Sequence, residues 1–379
     1  MQGLPGTLDR MLLRELLRLF IATLGGVVLL YLVIDFADRG SLYRGRAWAS
    51  VAELYANKAA VVGHQLAPAA LIIAAALLVA WLGRRGELTG FFSVGLSPLR
   101  LCAPIALFAA LLGGALVWMQ ERVVVFADAR AEEITATRFN RWGDWAVWHA
   151  ESSWVRGREG RVFRLGTPVA GGFEPASVLE VDAKFRLVRR LDARRLEFTR
   201  PGEWLLSEVV ERRYAHDLPQ APADGPAREP IVEVESAALV QPFPDTLDEL
   251  SLRNGRPRQL PWRALREQTA RRERLGQPVR EYQITLAERA FAPLLLVPAA
   301  LAAVGMLLRR TRKNGGRGLP LSAALALGLG LSLGLWALTV VLHAAAVGGA
   351  LPPWVAGGVP SVACAALAAA VLWPARAVA

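Results

Sequence analysis

The sequence predicts an α-helical membrane protein with six transmembrane helices and one inserted β-domain. The chain has 379 residues, of which 54% are hydrophobic, and a positive mean hydropathy, so it is too apolar for a single soluble domain. Long apolar runs in both halves can each cross a bilayer as a helix. Between the two halves, residues 142–236 consist of short alternating stretches separated by turn signals, a pattern typical of β-strands.

The charges favour a membrane protein over a nucleic-acid-binding protein. The net charge is +11, but residues 123–280 carry 26 Lys and Arg against 24 Asp and Glu. The rest of the chain carries 18 against 9, and its basic residues mostly flank the apolar runs. This distribution follows the positive-inside rule, whereas a nucleic-acid-binding surface would need a continuous basic stripe. We therefore expect a membrane partner and no nucleic acid.

The N-terminal membrane half is predicted to comprise residues 1–122. Residues 1–18 are basic and amphipathic, and the apolar run 19–34 completes the first span. A signal peptide is the rival interpretation, but no small-residue cleavage site follows the run. The second and third spans are predicted at 59–83 and 100–120, with an outer loop at 35–58. The arginines that mark the turn between them as cytoplasmic are Arg84, Arg85 and Arg100.

A large outer domain is predicted at 123–280, and a second membrane half at 281–379. The domain would have a sandwich-like or roll-like β-core at about 142–236, with helical connectors on both sides. The remaining spans are predicted at 287–308, at 319–347 and up to about residue 373. The basic run 309–317 is the strongest cytoplasmic marker, so both termini are predicted inside.

No residue pattern in the chain predicts catalysis, a cofactor or a metal. The sequence has no phosphate-binding loop, no Gly-x-Ser-x-Gly elbow and no zinc-ligand spacing. Cys102 and Cys364 both lie in apolar runs. The only polar candidates near a span are His64, Gln65 and His343, which argues against an ion-coupled carrier.

A short amphipathic helix is predicted at residues 86–95, between the second and third spans. An acidic residue stands at its positive N-terminal end, three apolar residues share one face, and a glycine can end it. Such a helix either enters a groove on another protein or lies in the membrane interface, and the residues alone leave both open. The residues concerned are Glu87, Leu88, Phe91, Phe92 and Gly95.

These residues resemble the cytoplasmic coupling segment of the lipopolysaccharide-export permease family (LptF/LptG type, also called YjgP/YjgQ). The matching stretches are Arg85-Gly86-Glu87-Leu88-Thr89 and Gly95-Leu96-Ser97-Pro98. Around the first span, Leu8-Asp9-Arg10 and Phe36-x-Asp38 are more similar to the LptG branch.

The second half of the chain carries the same resemblance. The entry to the fourth span matches at Tyr282, Arg289, Pro293 and Leu294, and the entry to the sixth at Leu351-Pro352-Pro353-Trp354 and Val359-Pro360. Many members have an acidic residue at the position of Thr285, so a salt bridge made there by the family is in doubt for this chain.

The resemblance implies a permease subunit of an ABC transporter in the bacterial inner membrane. It implies extraction of lipopolysaccharide and its transfer, through a β-jellyroll-like periplasmic domain, to a bridge toward the outer membrane. The implied partners are two copies of a cytoplasmic ATPase that holds ATP and Mg²⁺, a homologous six-helix permease, and a periplasmic bridge protein with a jellyroll domain. This chain would then not be an enzyme.

The resemblance also assigns roles to residues. Glu87 would pair with a basic residue of the ATPase, while Leu88, Phe91 and Phe92 would fill its groove. Some LptG-type members have a basic residue at the position of Asp35, where lipid A phosphates are expected. In this chain Arg39, Arg44 and Arg46 could bind the phosphates, or they could contact lipid headgroups in general.

One alternative function remains open from the sequence. A membrane-anchored sensor or scaffold, with a β-domain that binds a ligand or partner, would have the same topology and the same lack of catalytic residues. It would not explain Glu87-Leu88-Thr89.

Overall fold

The computed structural model describes residues 6–95, 97–139, 153–214, 232–250, 256–274, 276–313 and 318–376. The chain divides into two compact units, one of Met1–Arg141 with Pro257–Ala379 and one of Trp142–Arg256. The first unit contains six helices that are long and apolar enough to cross a membrane. The second is a β-sheet inserted between them. The predicted fold class is therefore confirmed.

The first half of the helical unit has three long helices and two short ones. The first helix ends at Arg39, beyond the apolar run 19–34, and the second begins at Trp48, before residue 59, so the connection between them is shorter than the predicted loop at 35–58. A single π-helical turn, Gln120–Val124, joins the fourth helix to the fifth. The helices are α1 Thr7–Arg39, α2 Trp48–Arg84, α3 Glu87–Ser93, α4 Pro98–Met119 and α5 Val125–Thr137.

The early start of α2 has a physical explanation in its ion pairs. Glu53 and Lys58 interrupt the apolar run, and this made residues 48–58 look like a loop. In the structure, Glu53 pairs with Arg130 at 2.7 Å and Lys58 with Asp35 at 2.6 Å. Because these charges have partners on neighbouring helices, the first turns of α2 can stay helical.

The second half of the helical unit adds one amphipathic helix and three long ones. Two prolines, Pro293 and Pro298, lie inside the first long helix of this half. The residues 257–280, which the sequence analysis assigned to the outer domain, group with these helices, as do residues 123–141. The helices are α7 Trp262–Arg274, α8 Arg280–Lys313, α9 Leu321–Val347 and α10 Pro353–Arg376; α6 is a single turn, Leu247–Leu250, in the β-unit.

The helical unit is built around α2 and α8. The most apolar window of α2 is 72% buried and that of α8 is 50% buried, compared with 6% for α1 and 11% for α9. Small residues allow the close packing, for example Gly328 of α9 against Ile73 of α2. Helices α1 and α9 thus present their apolar surfaces to the lipid or to another membrane protein.

The described residues of the β-unit form one antiparallel sheet, and its six strands lie in chain order. One face is buried, and Phe163, Trp204 and Phe243 fill it. The segment after the last strand packs across this face, since Asp245 accepts hydrogen bonds from the Arg158 amide and the Trp204 indole, both at 2.8 Å. The strands are β1 Ser153–Arg156, β2 Arg161–Val169, β3 Gly172–Val181, β4 Leu187–Arg200, β5 Glu203–Arg213 and β6 Val232–Gln241.

The alternating patterns predicted most of these strands. The stretches at 161–165 and 204–210 lie in strands, and the stretch at 178–182 lies in β3 except for its last residue. A further predicted strand at 145–149, and residues 314–317 of the basic run, lie outside the described residues. The buried face is packed with aromatic rings, including an edge-to-face contact of Phe163 and Phe243 at 5.6 Å, so it has the filled core of an ordinary sheet.

Candidate functional site

The predicted helix between the second and third spans is present as α3. Gly86 has φ +74° and lets the chain reverse after α2, a conformation that other residues adopt at a cost. Gly95, with φ +82°, lies just after α3. Ser97 then caps α4 by accepting a hydrogen bond from the Arg100 amide. The turn signals seen in the sequence thus define the short helix on both sides.

Glu87 occupies the first turn of α3 and has no strong partner among the described residues. Its carboxylate lies 3.9 Å from Arg85, a long ion pair. The Arg85 guanidinium instead stacks on the Trp81 ring at 3.9 Å. One oxygen of Glu87, Oε2, is buried without a hydrogen bond, although the side chain is 30% exposed. A carboxylate in this state would gain from a cationic donor on another molecule.

The apolar residues of α3 face the protein itself. Leu88 is 1% exposed and belongs to the core formed with α2, α4 and α8, and Phe91 and Phe92 pack partly against that core. Leu88 is therefore not on the surface where the sequence analysis expected it, because the apolar face of α3 is covered by the chain's own helices. The exposed residues are Thr89, Gly90, Ser93, Val94 and Gly95.

An ion pair fixes the start of α1 beside α3. The two terminal guanidinium nitrogens of Arg100 donate to Asp9, each at 2.7 Å, and Asp9 also accepts a hydrogen bond from the Gly6 amide. A shallow open groove between α1 and α3 is lined by Leu8, Met11, Glu87 and Phe91, among others. In the sequence Asp9 belongs only to a resembling stretch, and the pair could not be predicted because the two partners are 91 residues apart.

The arginines predicted to bind phosphate lie at the other end of α1. Arg39 is paired with Asp35 at 3.1 Å, and Asp35 also contacts Lys58 and the Tyr55 hydroxyl. Arg44 and Arg46 are exposed, and neither forms an ion pair with the part of the chain that the structure describes. These two are therefore the arginines available to an external anion, while Arg39 neutralises a neighbour.

Two charged residues of α8 have contacts that the sequence did not predict: Glu288, and Arg289, which was named only as part of a resembling stretch. Glu288 hydrogen-bonds His343 of α9 at 2.6 Å. Arg289 donates to the carbonyls of Leu260 and Arg258, both at 2.6 Å. The consecutive acidic and basic residues at the start of the predicted span were the available signal.

Other polar residues of the spans have ordinary contacts. Thr285 donates to the Glu281 carbonyl of its own helix at 2.9 Å. His64 lies 3.1 Å from the Leu116 carbonyl. Among the described residues, no group of three or more His, Cys, Asp and Glu side chains could hold a metal.

The comparison with known families covers nearly the whole chain. The family model described as "Lipopolysaccharide export system permease LptF/LptG" matches residues 10–374. No curated protein matches the chain. The family model does not separate the two branches, so the closer similarity to LptG stays a prediction.

The match covers both helical halves and the inserted sheet, and the six apolar helices agree with a multi-pass protein of the inner membrane. Membership implies a permease role in lipopolysaccharide export, which makes the chain a transporter component and not itself an enzyme. The chain belongs to the lipopolysaccharide export system permease LptF/LptG family.

Proposed function

We propose that this chain is the permease subunit of an ABC transporter that extracts lipopolysaccharide from the inner membrane and passes it to a periplasmic bridge. The observation that carries the proposal is α3, whose Glu87 carboxylate, at an exposed helix N-terminus, lacks a strong partner in the part of the chain that the structure describes. Two copies of a cytoplasmic ATPase would supply the energy, and they would hold the ATP and Mg²⁺. This chain itself would bind no cofactor.

The proposed contact with the ATPase uses the outer face of α3. Glu87 would pair with a basic side chain, and Thr89, Ser93 and Val94 would lie against the partner; Val94 is 82% exposed. Leu88, Phe91 and Phe92 would instead attach α3 to the hydrophobic core of the helical unit. A movement of the ATPase would then displace the core together with α3, because close-packed interiors transmit displacement.

The orientation follows from the basic residues. Arg84 and Arg85 at the end of α2, and the basic end of α8 from 309 onward, would be cytoplasmic. Both termini would then also be cytoplasmic, and the β-unit would be periplasmic. In this arrangement the β-unit would be the part that meets the bridge protein with its jellyroll domain.

The lipid and the second permease would contact other parts of the helical unit. Arg44 and Arg46, with Arg39 beside them, would meet lipid A phosphates at the outer end of α1, where guanidinium groups suit phosphate oxygens. The exposed apolar faces of α1 and α9 are suited to a homologous six-helix permease. Their exposed residues include Ile21, Leu29, Leu30, Leu333 and Val341.

The experiment compares Glu87→Lys with the wild-type chain, purified from native membranes in mild detergent. The wild type is expected to retain an ATPase subunit, a second permease and lipopolysaccharide. Breaking a buried ion pair from one side costs about 3–5 kcal/mol, so recovery of the ATPase should fall by about a hundredfold or more. The thermal unfolding of the chain should stay unchanged, since among the described residues Glu87 forms only a 3.9 Å ion pair with Arg85.

Glu15→Lys is the matched control. It reverses the same charge on α1, where Glu15 forms only a surface pair with Arg18 at 3.2 Å. ATPase recovery should stay at the wild-type level in this variant. Wild-type assembly and ATP turnover in Glu87→Lys would refute the coupling role, and a wild-type chain recovered alone would favour the sensor or scaffold.

A further inference from the structure

A cavity of about 670 Å³ lies between α2, α4 and α8. Neither α3 nor the exposed residues Arg44 and Arg46 line it. The polar residues at its rim include His64, Glu121, Arg263 and Arg289, and its apolar lining includes Leu116 and Leu296. The π-helical turn at 120–124 begins at this rim, and such turns often accompany functional sites.

The depth of the rim can be worked out from the helices. With the basic ends in the cytoplasm, as proposed above, Glu121 lies about 35 Å along α4 from Pro98, and Arg289 about 36 Å along α8 from Lys313, at 1.5 Å per residue. The hydrocarbon core of a bilayer is about 30 Å thick. The charged rim therefore lies at the level of the outer headgroups, and the apolar lining lies in the hydrocarbon.

The charge at the rim suits an anion. Arg289 is held by the carbonyls of Leu260 and Arg258 and lies 3.8 Å from Glu121, so one positive charge is largely balanced. Arg263 lines the cavity, is exposed, and has no ion pair with the residues that the structure describes. Its guanidinium is therefore available to a phosphate group. Trp262, at the same rim, is a residue type enriched at the membrane interface.

The volume limits the size of the ligand. Pockets of about 300–1,000 Å³ hold one drug-sized molecule, which corresponds to one acyl chain and not to the several chains of lipid A. The wall of the cavity is closed by a tight helix contact, since Gly113 of α4 lies against Pro293 of α8, where an added Cβ would be 3.3 Å from the Pro293 carbonyl oxygen. The space is thus a built feature of the α4–α8 contact.

We propose that this cavity binds one acyl chain of an anionic phospholipid from the outer leaflet, with the lipid phosphate at Arg263. The Arg263 guanidinium, at the level of the headgroups, would contact the lipid phosphate, and the apolar lining, at the level of the hydrocarbon, would contact the acyl chain. This site is separate from the lipid A phosphate site proposed at the end of α1, and it does not depend on the coupling role of α3.

The test uses the full-length chain in vesicles of phosphatidylethanolamine that contain phosphatidylglycerol with a photoactivatable acyl chain. Mass spectrometry of the cross-linked peptides should show the label concentrated at 113–121 and 289–296. Excess unlabelled phosphatidylglycerol should displace it, and a lipid A-containing glycolipid should not. Labels spread evenly over all exposed apolar helix faces, or displacement by the glycolipid alone, would overturn the proposal.

Two pairs of variants make the test specific. Ala292→Trp fills the cavity and should abolish the concentrated label, whereas Leu294→Trp adds the same ring to the same helix at a residue that is 61% exposed and does not line the cavity. Arg263→Ala should reduce labelling by phosphatidylglycerol about fivefold, the effect of one interfacial charge, and Arg266→Ala should not. Equal effects within either pair would contradict the proposed site.

Discussion

The contact of Gly83 with Gly318 provides the most direct test of the helical packing. Gly83 is in the last turn of α2, and Gly318 lies just before α9. A Cβ added at Gly83 would be 2.9 Å from the Gly318 Cα, and one added at Gly318 would overlap the Gly83 carbonyl carbon. Both neighbours are backbone atoms, so a side chain cannot move aside to make room.

Gly318→Ala is therefore expected to destabilise the helical unit. The two backbones must separate to restore van der Waals contact, and overpacking of this kind costs about 1–3 kcal/mol. The matched control is Gly330→Ala, in the middle of α9, where an added Cβ meets nothing within 4 Å. That control should gain about 0.5–1 kcal/mol, because alanine is the better helix former.

The assay is chemical unfolding of both variants in mixed micelles, followed by tryptophan fluorescence. The two variants should differ by about 1.5–4 kcal/mol, the sum of the expected loss and gain. Equal stability of Gly318→Ala and Gly330→Ala would refute the close contact. Because Gly83 directly precedes the α2–α3 turn, the destabilised variant should also lose ATPase recovery in the purification described above.

Two further predictions concern ion pairs. Asp9→Arg and Arg100→Asp should each loosen the start of α1, and limited proteolysis should then cut faster near residue 9. The double variant restores the ion pair in the reverse orientation, so it should be protected again. A double variant that is cut as fast as the single variants would contradict the pair. In β5, burial raises the pKa of Glu211, but hydrogen bonds from Arg189 and Arg213 outweigh it and hold the pKa below the usual value. The sheet should therefore lose stability as the pH falls from about 5 through this lowered pKa. Hydrogen exchange of the β5 amides measures this loss, and Glu211→Gln should make it smaller. The same pH profile in the variant and the wild type would contradict the prediction.

The spans could be predicted because their signal is local. Each apolar run is continuous along the chain, and the basic residues beside it mark its ends. The helix α3 could be predicted for the same reason, since Glu87, Gly86 and Gly95 are all within a few residues. The start of α2 could not, because Glu53 and Lys58 resemble loop residues until their partners, distant in sequence, are known.

The sequence also could not show which way the apolar face of α3 points. The spacing of Leu88, Phe91 and Phe92 shows that one face is apolar, but it does not show what covers that face. The structure shows that the chain's own core covers it. The Glu288–His343 contact was missed for a similar reason, since each residue alone looks like an isolated polar group in a span and only the packing of α8 on α9 joins them.

The inward direction of Leu88 changes how a signal would pass through α3. A helix held only by surface contacts could tilt without moving its neighbours, but α3 is held by a core residue, and two further contacts join neighbouring helices to each other. Leu88 inserts into the core, the Asp9–Arg100 pair joins α1 to α4 beside it, and the Gly83–Gly318 contact joins the end of α2 to the segment before α9. Helices α1 and α9 have the most exposed apolar windows of the spans. A push on the outer face of α3 would therefore reach the two helices best placed to meet a second permease, and would do so through rigid contacts.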